Sequence, residues 1–195
     1  LKAVVRMIKA FYVVCLSLVF SQAVQARPAT YSETIAPIFT EKCVACHACY
    51  DSPCQLNLGS GEGLERGAHA EPIYNGGRKQ AAETTRLFVD AQSNEQWRDK
   101  GFFDVLGHGQ PQASLLATML ELGRQQPFAP NSRLPDSIDL GINRQNQCPQ
   151  PDDFTRYAQK NPHGGMPFAV TGLTDTEYLR IQQWLQEGAA VDAPQ

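Results

Sequence analysis

Basic residues are scarce in this sequence and never come more than two together. Seventeen Lys and Arg stand against 20 Asp and Glu, for a net charge of −3. That balance excludes a chain built to bind nucleic acid or to dock electrostatically on anionic lipid. Long apolar runs are also missing. The most hydrophobic stretch, 10–20, is shorter than the roughly 20 residues that cross a bilayer. There is no internal repeat, no low-complexity tract and no twin arginine.

The short apolar run does have the look of an export signal. Lys9 precedes it, and Ser21-Gln22-Ala23-Val24-Gln25-Ala26 follows, with Val24 and Ala26 placed for cleavage after Ala26. Residues 1–26 are therefore expected to be a signal peptide, with Met7 the better start and a retained anchor as the alternative. Cleavage removes Lys2, Arg6 and Lys9 and no acidic residue, so the net charge moves from −3 to −6. Residues 27–195 are of a length for one domain. The expected compartment is the periplasm of a Gram-negative bacterium, with peripheral membrane association open.

What the sequence has in unusual density is cysteine. Four of six lie in "CVACHACYDSPC", Cys43 to Cys54. Read as Cys43, Cys46, Cys49 and Cys54, the run approaches an iron–sulfur spacing, but the last gap is too long and Pro53 precedes the final cysteine. Zinc on Cys43, Cys46, His47 and Cys49 would crowd four ligands into seven residues, where zinc sites use two separated knuckles. Read as Cys43-x-x-Cys46-His47, the run is an attachment site for haem c. Two thiols one helical turn apart suit two thioether bonds to one porphyrin, and the next histidine suits the iron. An exported chain fits haem attached outside the cytosol.

The flanks agree with a class I cytochrome c-like haem domain. In "YSETIAPIFTEKC", Ser32 is the expected N-cap of a helix carrying Ile35, Ile38 and Phe39, with Pro37 kinking or shortening it. Near the other end, Thr174-Asp175-Thr176-Glu177 forms a capping box. It opens a helix whose apolar face is Tyr178, Ile181, Trp184 and Leu185, and Gly188 ends it. Met166, on the loop before, is the favoured sixth iron ligand; His163 or an open position remains. Met119 reads as helix core, His69 and His108 as solvated loop residues, although His108 could reach the haem pocket. The fold expected is mainly α. A long, partly helical insertion of 118 residues, 48–165, separates the haem histidine from the methionine. Helices are expected in it near 82–90, 94–100, 113–124 and 152–160, the last N-capped by Asp152 or Asp153, with a loop over 126–151.

The stretches "CVACHACYDSPCQLNL", "GLERGA", "AAETTRLFVDAQSNEQWRDKGFF", "LPDSIDL", "QCPQPDDF" and "GGMPF" together resemble the N-terminal part of bacterial fatty acid cis/trans isomerases. These are longer, periplasmic haem-c enzymes, so the chain is expected to be the beginning of one. The resemblance covers nearly all of the sequence after residue 26. It implies a substrate of unsaturated phospholipid acyl chains at the membrane surface, whose cis double bonds become trans and stiffen the bilayer under stress. A haem-based route would withdraw one electron transiently from the double bond and return it after rotation. The alternative is a periplasmic electron-transfer cytochrome with a redox partner; a third class is a haem-based sensor.

Haem leaves Cys49, Cys54 and Cys148, three thiols in an oxidising compartment. One pair is expected, with one thiol left over. Cys54–Cys148 is favoured because it closes a loop of about 94 residues, nearly the whole insertion, worth roughly 4–5 kcal/mol on the chain-entropy estimate, while Cys49 follows the haem histidine closely. Cys49–Cys148 and Cys49–Cys54 stay open.

Overall fold

A computed structural model describes residues 30–74, 76–108, 110, 114–128, 131, 133 and 148–192. The expected signal peptide, 1–26, and the "LPDSIDL" stretch lie outside the described residues. Those described are helical and contain no strand, only an isolated antiparallel bridge between Ala68 and Phe103. No helix among them is long and apolar enough to cross a membrane.

The first element is a π-helical turn, Tyr31–Ile35, running into helix α1, Ala36–Lys42. Pro37 lacks the N–H that would bond back to residue 33, and just before it the register widens, so that Ala36 N–H reaches Tyr31 O. The helical path continues past the proline, which sits in the first turn of α1, where a missing donor costs nothing. Nor is Ser32 the cap. Thr30 occupies that position, and Ser32 N and Oγ both donate to Asp192 Oδ2, at 3.0 and 2.6 Å.

Short helices α2 (Gly61–Arg66) and α3 (Asn94–Asp99) follow, then α4 (Leu115–Gln125), α5 (Phe154–Lys160) and α6 (Asp175–Gln186). Ser60, Ser93 and Ser114 cap α2, α3 and α4 through their side-chain oxygens. The capping box at Thr174 and Glu177 forms at the start of α6. At its end Gly188, φ +100, lets its own N–H reach Leu185 O while Ala189 N–H reaches Trp184 O. Before α5 the expectation fails in part. Residues Pro151–Asp153 form a separate 3-10 turn, and Asp153 makes no capping bond because its carboxylate pairs with Arg156.

The expected helix at 82–90 does not exist. Residues 81–86 are irregular and 87–89 a turn. Asp90 accepts from Arg86 N at 2.6 Å and from the Arg86 guanidinium, and Phe88 stands at φ +68, which no helix admits. Thr85 is drawn inward as well, donating to Gln55 Oε1 and accepting from Arg66 Nη1.

The core joins the two ends of the chain. Tyr31, Ile35, Ile38 and Phe39 meet Ile181, Trp184 and Leu185 of α6, and α4 adds Leu115, Leu116, Met119 and Leu120. The Trp184 ring lies 5.9 Å from Tyr31 and 6.4 Å from Phe39. A smaller cluster of Ala91, Trp97 and Phe102 anchors the insertion. Arg66 bridges the two regions. Its guanidinium lies 5.4 Å from the Trp97 ring and 4.8 Å from Phe102, and it donates to Gln55 O and Thr85 O.

Asp104 fastens the turn between this cluster and α4. Burial alone would push its carboxyl up. Donation from His108 N–H and Leu106 N–H, and the His108 ring at 3.1 Å, outweigh burial and hold it below the ordinary range. A depressed folded value means that the stabilisation is complete above the unfolded value of about 4 and is lost as pH falls through the folded one. Asp104→Asn is expected to lower the unfolding free energy by about 1–2 kcal/mol at neutral pH. In urea titrations the gap to the unaltered protein should narrow as pH drops below about 4.

Candidate functional site

Beyond α1 the chain makes one more helical turn. Cys46 N–H and His47 N–H both bond to Cys43 O at 3.0 Å. That turn puts Cys43, Cys46 and His47 in the wall of a single cavity of about 410 Å³. The volume lies within the range of pockets that hold cofactors and small ligands. The rest of the wall is mostly apolar, from Leu56, Leu58, Val105, Leu116, Met119 and Leu120 among others.

His47 is buried. Its Nδ1 faces Leu56 O at 3.2 Å, and that carbonyl also accepts from Ser52 Oγ at 2.8 Å. Leu58 N–H closes the loop onto His47 O at 2.7 Å. A carbonyl cannot donate, so Nδ1 carries the proton and Nε2 keeps its lone pair. Burial lowers the imidazole's pKa, more than the Leu56 bond raises it, so the ring stays neutral. Burial pushes the Cys43 thiol up to about 12, with Cys46 adding to the effect.

Met166 lines the same cavity from the far end of the insertion. Its N–H bonds to Met119 O at 2.9 Å, so the 164–166 segment lies directly on α4. Two glycines permit this. A Cβ on Gly123 would strike the Met166 backbone, and one on Gly165 would strike the Gly123 backbone. Tyr157 adds a bond from its hydroxyl to Gly164 O at 2.8 Å, and burial pushes its phenol up to about 12.

The other candidates lie elsewhere. His163 is not in the cavity lining; its ring is 6.2 Å from Phe128. His108 sits between Asp104 and Glu65, at 3.1 and 3.4 Å, and does not reach the cavity. His69 is held by Glu71 N–H and packs on Phe102. Met119 is core, as its helix pattern implied, and also lines the cavity. Tyr157, Phe103, Phe168 and Val170 line it too, and nothing in their local sequence marked them.

Cys54 and Cys148 are joined by a disulfide, Cα atoms 5.4 Å apart, while Cys43, Cys46 and Cys49 are free thiols. Cys54 is thereby withdrawn from the four-cysteine set that an iron–sulfur cluster would need. No group of three or more His, Cys, Asp or Glu among the described residues converges as a bare metal ion requires, so the zinc set is not assembled. The residues that line the cavity suit a haem: Cys43, Cys46 and His47 from one turn, Met166 from another segment, and apolar side chains besides.

A sequence profile of the family described as fatty acid cis/trans isomerase (CTI) matches residues 82–195. The match covers the insertion from residue 82 onward, Met166 and α6, and starts after the Cys43–His47 turn. It is narrower than the resemblance, which began at the cysteines. No curated protein and no solved structure matches the chain.

The close approach at Met166 is directly testable. Gly123→Ala should cost about 1–3 kcal/mol by overpacking against fixed backbone. At Gly172 an added Cβ meets no atom within 4 Å. Gly172→Ala should therefore leave the denaturation midpoint nearly unchanged.

Proposed function

The chain belongs to the fatty acid cis/trans isomerase family, and from that premise we propose that its apolar cavity holds a haem c that serves the isomerisation. The family assignment favours an isomerase over a plain electron carrier. The observation that carries the haem reading is the convergence of Cys43, Cys46, His47 and Met166 on one cavity.

In this reading Cys43 and Cys46 would hold the porphyrin through thioether bonds, and His47, through Nε2, and Met166, through its thioether sulfur, would be the iron's protein ligands. Leu56 O and Ser52 fix the tautomer and angle of the imidazole, as outer partners of ligating histidines do. The leucine and valine wall suits an apolar ligand, with few polar groups to be left unpaired against it. When bound, a haem would supply a reversible one-electron acceptor, the property that rotation about a cis double bond without net oxidation calls for. The substrate is a phospholipid acyl chain at the membrane surface. The compartment is the periplasm, reached through the 1–26 signal, with the protein peripheral on the membrane.

Protein purified from the periplasm is expected to keep its haem absorbance through acid–organic extraction, and Cys46→Ala to lose it. Trans-acyl formation, followed by gas chromatography of membrane lipids, should fall to background in Cys46→Ala. Full isomerisation by a Cys46→Ala protein free of covalent haem would refute the reading. Met166→Ala should keep the haem but lose the methionine-to-iron charge-transfer band of the ferric protein. An unchanged band would remove Met166 from the iron.

A further inference from the structure

We propose that the 167–171 segment is the doorway at which a cis-unsaturated acyl chain meets the cavity mouth, beside the haem that would fill the space within, with Phe168 and Val170 as the side chains it touches. The proposal rests on the isomerase reading above and names the place where its substrate docks.

Six large apolar side chains are exposed among the described residues: Tyr50, Tyr74, Phe88, Val89, Val170 and Leu179. Of these, Val170 alone also lines the cavity. It is 47 % exposed, so the cavity wall and the protein surface meet at this residue. Phe168 and Thr171 line the cavity beside it. Ala169 between them has φ +56, a conformation that costs a non-glycine residue about 1 kcal/mol or more and is kept where the surroundings require it. The Phe168 ring is braced edge-on by Phe128, centroids 6.2 Å apart. The doorway therefore has one firm aromatic jamb and one exposed aliphatic one.

The chemistry of the lining selects an amphiphile. A polar solute would leave its hydrogen-bonding groups unpaired against leucine, valine and phenylalanine. An acyl chain loses nothing there. The charged side chains of the lining are Glu41 and Lys42, ion-paired with each other at 2.8 Å. Their charges compensate each other, so the lining carries no unpaired charge against an apolar chain.

The test uses the holoprotein with Val170→Asp and Val170→Trp. Leu179→Asp serves as a control on an exposed leucine, 64 % accessible, that does not line the cavity. Binding is read with cis-parinaric acid through its fluorescence. Isomerisation is read as trans-oleoyl chains formed in dioleoyl-phosphatidylcholine vesicles, and haem content by absorbance. Both Val170 variants should keep their haem yet bind and isomerise roughly tenfold less or worse, while Leu179→Asp matches the unaltered protein. Val170 variants that bind and isomerise normally would overturn the doorway. So would an equal loss in Leu179→Asp, which would mean general surface affinity. The two readings fail separately: parinarate binding blocked by Val170→Asp in a protein that never held covalent haem would leave the doorway standing and sink the haem.

Discussion

The packing of Trp184 between Tyr31 and Phe39 is the contact on which the cavity depends. It pins the last helix to the first, with nearly the whole described chain looped between them. The thiol-bearing turn leaves the end of α1, and the Met166 loop leads into α6. If these helices separate, the two donor walls separate with them. Trp184 is almost fully buried, and its indole N–H donates to Ala190 O at 2.9 Å, so the ring is fixed in rotation as well as in place. Asp192 then ties the exit of α6 to the first turn through Ser32.

The insertion is more than a spacer. Arg66 joins its small aromatic cluster to the loop that presents Leu56 O to His47, since Gln55 O is one of its acceptors. The Cys54–Cys148 disulfide fastens the same loop to the segment leading into α5. The attachments act on Gln55 and Cys54, next to the Leu56 carbonyl that sets the histidine tautomer. The insertion thus braces the outer partners of the proposed iron ligand from two directions. It also supplies α4, against which Met166 lies.

A wall this poor in polar groups has a chemical meaning. Apolar surroundings favour an apolar ligand and disfavour charge, which keeps His47 neutral and the Cys43 thiol protonated. The family's substrate, a fatty acyl chain, has the same polarity as the wall. A chain bound against such a wall would gain from leaving water, and a soluble polar competitor would gain little.

Local spacing by itself determined the elements whose logic is complete within a few residues. Cys43-x-x-Cys46-His47 places three side chains on one turn whatever the rest of the chain does. The Thr174–Glu177 box and Gly188 bound α6 through bonds three to five residues long. The apolar period of α4 marked its buried face, and the composition and motifs pointed to the family. Tertiary structure decided everything that needed a distant partner. The apparent helix at 82–90 gave way because Arg66 and Gln55, 19 and 30 residues from Thr85, recruit it. Met166 rather than His163 faces the cavity because Gly123 and Gly165 let two backbones touch, a fit that no local pattern encodes. Which cysteine meets Cys148, and which exposed valine stands at the cavity mouth, are likewise set by where the chain returns. Hydrogen bonds and periodicity act over a turn, whereas packing and cross-links act over the whole loop.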